Sequence, residues 1–211
     1  MGRGLFIVIE GANRLYKTTF KRMLKEVIQK KSGYTVTTLG RSKLETTDCP
    51  TLANYLSGQL QLSDQVAHHL FSADRWRLSQ IIQYLLSQGV IVILNRYVVS
   101  GHVYTIAQGN LDQEWCSQFD KGLIKPDITI YLERDESPVG EPEFEDPDIY
   151  ENSQMQIKIK ECFQNFKNKN PDWFSINISR ITPKRVLEQL VPVIINKMNF
   201  LQNNDNDPQY Y

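Results

Sequence analysis

Cysteine is scarce in this chain of 211 residues: Cys49, Cys116 and Cys162 are odd in number, widely spaced and without a Cys-x-x-Cys pair. That excludes a disulfide framework, argues against a structural zinc site and points away from an oxidising compartment. An excess of one charge is lacking too. Lys plus Arg and Asp plus Glu stand at 24 each, so no global field gathers DNA, RNA or acidic lipid, although small anions can be held locally. Nowhere do eighteen apolar residues run together, and no signal-peptide segment precedes the first apolar run, so neither membrane insertion nor secretion is expected. Histidine offers no ligand set: His68 and His69 are neighbours, which cannot face one ion from a helix, and His102 has no companion at suitable spacing. The expectation is a cytosolic or nuclear chain without nucleic-acid or membrane partners, forming one domain that buries about 70% of its unfolded surface.

What is present starts at Leu5. Five of the six residues before Gly11 are apolar, as in a central parallel strand. They lead into Gly11-Ala12-Asn13-Arg14-Leu15-Tyr16-Lys17-Thr18-Thr19, which follows the phosphate-loop pattern G-x-x-x-x-G-K-[ST] except that Tyr16 holds the second glycine's place. In that pattern backbone N–H groups curl around phosphate oxygens, while Lys17 would reach the β/γ-phosphates and Thr18 would ligate Mg²⁺. Phe20, Met23, Leu24, Val27 and Ile28 recur at helical spacing, so a helix N-terminus points its positive end at the bound anion.

Strand-like runs at Thr35 to Leu39, Val90 to Leu94, Ile128 to Leu132 and Phe174 to Ile178 alternate with helical patterns. Such alternation predicts an α/β fold with a parallel sheet covered by helices. Ser63 opens a long helix that Gly89 closes, Asp148 and Glu151 form a capping box for a helix from Ile149 to about Lys167, and Thr182-Pro183 starts a last helix reaching about Met198. Residues 135–148 hold seven acidic side chains, three prolines and no basic residue, the composition of a mobile solvated loop. The Asn- and Asp-rich tail from Gln202 to Tyr211 is expected to fray.

Further motifs follow in order. His69-Leu70-Phe71-Ser72-Ala73-Asp74-Arg75-Trp76 comes first, then Gln88-Gly89 with a strand to Asn95-Arg96-Tyr97 and Ser100-Gly101. Gly122-Leu123-Ile124-Lys125-Pro126-Asp127 and Tyr150-Glu151-Asn152 complete the set. Over nearly its whole length the chain resembles thymidylate kinase, especially the eukaryotic and poxviral branch. The resemblance implies a three-layer P-loop kinase fold with a five-stranded parallel sheet, one domain over residues 1–200 with a lid at about 133–148, and a homodimer. It also implies transfer of the ATP γ-phosphoryl group to thymidine monophosphate (dTMP), with Mg²⁺ as cofactor. Positive charge and positioning dominate such chemistry. In that pattern Arg14 is the catalytic arginine, supplied by the loop because residues 135–148 hold no basic side chain. Phe71 lies over the thymine ring and Arg75 meets a base carbonyl. Arg96 holds the monophosphate, with Arg41, Gly101, Tyr104, Tyr150 and Gln156 around phosphate, sugar and base.

Departures from the family pattern cluster at the reacting centre. Tyr16 replaces a glycine, Asn13 replaces the aspartate that orients the acceptor sugar, and Asn95 replaces the aspartate that supports Mg²⁺ or the acceptor. Three readings follow: a working dTMP kinase with a remodelled loop, a degenerate kinase that binds nucleotide or a protein partner without useful turnover, and a kinase for another monophosphate.

Overall fold

The computed structural model describes residues 2–13, 15–40, 49–135, 153–204 and 206–211. Arg14, Arg41, Tyr150, the capping box at Asp148 and nearly all of the anticipated lid lie outside the described residues.

The chain alternates strand and helix: β1 Phe6–Glu10, α1 Lys17–Ser32, β2 Val36–Leu39, α2 Pro50–Leu56, α3 Asp64–Ser87, β3 Ile91–Asn95 and α4 Val98–Gln108. Then come α5 Gln113–Gln118, β4 Ile128–Glu133, α6 Ser153–Lys169, β5 Phe174–Asn177 and α7 Pro183–Asn203. The strands form one five-stranded sheet in the order β2-β3-β1-β4-β5, with every pairing parallel. The fold expected from the alternation of strand and helix is the one observed.

The two faces of β1 explain its unbroken apolar run. Leu5, Ile7 and Ile9 face a core built with Phe20, Leu24 and Ile28 of α1 and Leu190, Val191 and Ile194 of α7. Phe6 and Val8, on the opposite face, pack with Ile82 and Leu86 of α3 and with Tyr97 and Val98. A strand buried on both faces needs apolar residues at every position, and period-two alternation vanishes. A third cluster joins Val99 and Val103 of α4 to Ile159, Phe163 and Phe166 of α6, with Tyr131 of β4.

Helix ends follow their local chemistry. Ser63 Oγ accepts from Val66 N–H at 3.4 Å at the start of α3, and Gly33, at φ 72°, closes α1 with its N–H on the Gln29 carbonyl. The helix α7 begins at Pro183, as anticipated, and runs to Asn203 because Met198 and Leu201 continue its buried stripe. Beyond it the chain corrects the expectation of a frayed tail. Lys125 N–H donates to the Gln209 carbonyl at 2.7 Å, and Tyr211 N–H donates to the Leu123 carbonyl at 2.9 Å. Composition misleads here because main-chain groups, which carry no sequence signature, supply these bonds.

The parallel register aligns the carboxyl ends of the strands. Ile9 pairs with Asn95 and Glu10 with Tyr131, so the turn after β1, the Asn95-Arg96-Tyr97 motif and the end of β4 share one edge. The sheet grows to opposite sides of β1, and at such a switch point a crevice opens beyond the strand ends.

Candidate active site

Gly11 leaves β1 at φ 139°, and a Cβ there would stand 2.4 Å from the Leu132 carbonyl oxygen. Both facts require glycine. Leu15, 8% exposed, pins the far side of the turn into the core. Tyr16 then adopts φ 50°, ψ 29°, a left-handed conformation, as the residue before α1. Its ring points away from the turn: Tyr16 is 55% exposed, and its ring centroid lies 5.4 Å from the Arg134 guanidinium carbon. The bulky side chain that replaces glycine is therefore accommodated outside the phosphate turn.

Lys17 is buried, and its Nζ donates to the Ala12 carbonyl oxygen within the turn. Burial, and then the positive charge of Arg96, hold its pKa well below the ordinary lysine value, with Glu10 opposing them. Thr18 and Thr19 are exposed on the first turn of α1. Asn95 Nδ2 donates to Thr18 Oγ1 over a long 3.5 Å.

A second cation enters from the next strand. Arg96, itself left-handed at φ 60°, donates from one guanidinium nitrogen to the Gly11 carbonyl at 3.1 Å and from another to Asn13 Oδ1. Tyr104 Oη donates to the same Asn13 oxygen at 2.7 Å, and the guanidinium carbon lies 4.9 Å from the Tyr104 ring centroid. Lys17, Arg96, Asn13 and Tyr104 thus form one cluster at the turn. Asn13 Nδ2 and Asn95 Oδ1 are buried without hydrogen-bond partners among the described residues.

The α3 residues sit on the other wall. Phe71 is half-buried at the rim of the third cluster and meets Tyr55 edge-on, centroids 6.3 Å apart. Arg75 is 6% exposed and forks onto Asp120, Nε to Oδ1 at 3.0 Å and one terminal nitrogen to Oδ2 at 2.8 Å. Its other terminal nitrogen lies against Gly101, where a Cβ would stand 2.2 Å away. Gly101 is thus needed for space rather than for a turn. Gln156 lies on α6, half-buried.

Sequence reasoning missed two carboxylates that shape this site. Glu10, 1% exposed, accepts from Tyr97 N–H at 3.0 Å and from the Ser100 hydroxyl, fixing the turn that presents Arg96. Burial raises its pKa, against those hydrogen bonds and Arg96. Asp120 takes Arg75, Ser72 Oγ at 2.8 Å and His102 Nε2 at 2.9 Å. Burial alone would push its carboxyl up, but these partners outweigh that effect and hold it below the usual range. A polar residue within an apolar strand was the available signal for Glu10; Asp120, 45 positions from Arg75, left none. Among the described residues no group of three or more His, Cys, Asp and Glu side chains could hold a metal ion.

Known proteins carry the same fold and sequence pattern. The thymidylate kinase family profile matches residues 9–190. Thymidylate kinase of Homo sapiens is 33% identical over 179 residues, 84% of each chain, and that of Schizosaccharomyces pombe is 34% identical over 199 residues, 92% of this chain and 93% of the relative. The solved thymidylate kinase of Candida albicans superposes with a TM-score of 0.82 at 33% identity, covering 100% of this chain and 99% of that one. With the profile spanning most of the chain and the lysine and arginine gathered at one turn, the chain belongs to the thymidylate kinase family.

Proposed function

We propose that this chain transfers the γ-phosphoryl group of ATP to the 5′-phosphate of dTMP, giving thymidine diphosphate. The observation that carries the reading is the convergence of Lys17, Arg96, Asn13 and Tyr104 on the turn after β1. Two polyanions must be brought in line, and a loose phosphoryl-transfer transition state is stabilised chiefly by fixed positive charge. Lys17 leaves the Ala12 carbonyl to bind the β/γ-phosphates, and Arg96 receives the acceptor's phosphate. Arg14, Arg41 and Tyr150 complete the set by resemblance. Phe71 stacks on the base, Arg75 donates to its carbonyl through the nitrogen over Gly101, and Tyr104 and Gln156 flank the sugar and base.

Mg²⁺ suits the oxygen donors at hand. Thr18 Oγ1 and the buried, unpartnered Asn95 Oδ1 are hard ligands of the kind that hold this ion together with substrate phosphates. When bound, it neutralises charge on the transferring group. A homodimer in the cytosol or nucleus belongs to the same reading. The test is a coupled assay with dTMP and Mg·ATP: turnover above a Lys17→Ala control is expected, and none would reject the reading. A purine monophosphate preferred over dTMP would overturn the acceptor assignment.

A second reading, a degenerate kinase that binds nucleotide or a protein partner without useful turnover, is favoured by Tyr16, Asn13 and Asn95 standing in place of a glycine and two aspartates, with Asn13 Nδ2 buried and unpartnered. If each lost charged contact is worth about 1.5–3 kcal/mol, two of them amount to roughly 10²- to 10⁴-fold in rate. Restoring Asn13→Asp, Asn95→Asp and Tyr16→Gly together separates the readings. A gain of that order supports impairment at these positions, and no gain argues against it.

A further inference from the structure

We infer that residues 209–211 form a strap that positions Arg75 by fixing the turn carrying Asp120, and so tunes affinity for the base of the acceptor. The inference rests on the acceptor role proposed for Arg75.

Three observations converge on that turn. The strap is an added antiparallel segment: Ile124 bridges Tyr210, Gly122 N–H donates to the Tyr211 carbonyl at 2.9 Å, and Lys125 N–H and the Leu123 carbonyl bond to Gln209 and Tyr211. The Tyr211 side chain goes inward. Its ring lies 6.4 Å from that of Tyr97 and under Lys125 Nζ at 5.6 Å. Although Tyr211 stays 37% exposed overall, burial raises its phenol's pKa, and Glu10, Tyr97, Asp120 and Arg75 lie close enough to act on it electrostatically. The ring is thus seated between the Lys125 ammonium, on the segment that follows Asp120, and Tyr97 of the motif that presents Arg96.

The turn is held from its other side by α3. Trp76 Nε1 and Ser72 Oγ donate to the Phe119 carbonyl at 2.8 and 3.0 Å, and the Trp76 ring covers Gly122, which stands at φ 96°. Asp120 is thus clamped between α3 and the strap. Its two oxygens define the plane of the Arg75 guanidinium, and that plane decides where the nitrogen over Gly101 points. A bidentate pair transmits orientation well because a small tilt breaks one of its two bonds. Tyr211 touches no reacting atom, so it is a positioning residue acting through Asp120.

The experiment compares Tyr211→Ala and Tyr211→Phe with the unaltered chain. Calorimetric titration should give a dTMP dissociation constant raised roughly 5- to 30-fold in the alanine variant, near-normal in the phenylalanine variant, with ATP affinity unchanged in both. Equal losses for ATP and dTMP would mark general destabilisation and overturn the inference, as would unchanged dTMP affinity in Tyr211→Ala. Proton exchange at the Arg75 Nε–H, read by NMR without ligand, gives an independent arm. Faster exchange in Tyr211→Ala is expected, and an unchanged rate overturns the strap. Should the unaltered chain bind no dTMP, the acceptor reading fails, while the exchange measurement still decides the strap.

Discussion

Tyr16 holds a left-handed backbone with a full side chain, at a cost of about 1–2 kcal/mol. The Arg134 guanidinium against its ring offsets about 0.5–1 kcal/mol of that. Replacing Tyr16 by glycine removes the strain, the ring contact and some restriction of the unfolded chain together. Urea unfolding should therefore show Tyr16→Gly within about 1 kcal/mol of the parent, while turnover rises several-fold as the turn becomes free to adjust to phosphates. A fall in turnover would mean that the ring assists catalysis. Lys17 gives a different handle. Its depressed pKa, caused first by burial and then by Arg96, must rise when a triphosphate places negative charge beside it. Binding of ATP should draw a proton from solution over the alkaline range in which the free chain's Lys17 is neutral, seen as a binding heat that depends on the buffer's ionisation enthalpy. A heat independent of the buffer would show that the amine is already protonated.

At the scale of elements, the turn joining β1 to α1 and the first helical turn carry Lys17 and Thr18, whereas Phe20, Leu24 and Ile28 further along α1 pack into the core. Gly11→Ala drives a Cβ toward the Leu132 carbonyl in a backbone region that disfavours it, so a loss of about 2 kcal/mol or more together with lost turnover is expected. Leu24, fully buried on α1, should cost about 2–5 kcal/mol as Leu24→Ala while the folded fraction keeps its kcat. Denaturant midpoints measured alongside initial rates separate the two outcomes. The strands and α1, α3 and α7 were legible because apolar spacing, Ser63, Gly89 and Thr182-Pro183 are local signals. The cluster of Arg96, Asn13 and Tyr104 was readable only through family spacing, since its members lie as far as 91 positions apart. The outward ring of Tyr16 was not readable, because a left-handed residue can place its side chain on either side of a turn. The docked tail was hidden because its bonds come from the main chain.

For the whole molecule, one contribution to stability in acid comes from a buried histidine. His68 is 0% exposed, bonded to Thr105 Oγ1 at 2.9 Å and to the Cys116 carbonyl. Burial first, and then the charge of Arg75, lower its pKa from 6.5 to about 4. In that window the unfolded chain takes up a proton that the folded chain refuses, so this histidine's contribution is fully present above pH 6.5 and is lost as pH drops toward about 4. The shift corresponds to about 3 kcal/mol. Thermal melts of His68→Gln should lose this acid slope, and a slope equal to the parent's would assign it to other groups.

Both ends of the described chain also meet at one place. Arg3 forks onto Asp127 at 2.7 and 2.6 Å and donates to the Asn206 carbonyl across 203 positions, three residues before the segment that bridges Ile124. During synthesis the sheet's inner strands leave the ribosome long before these residues do, so under the strap inference Arg75 waits, loosely held, until residues 209–211 dock. A ribosome that stops at residue 205 would, on the same inference, release a chain with its five strands paired and the turn carrying Asp120 held from the α3 side alone.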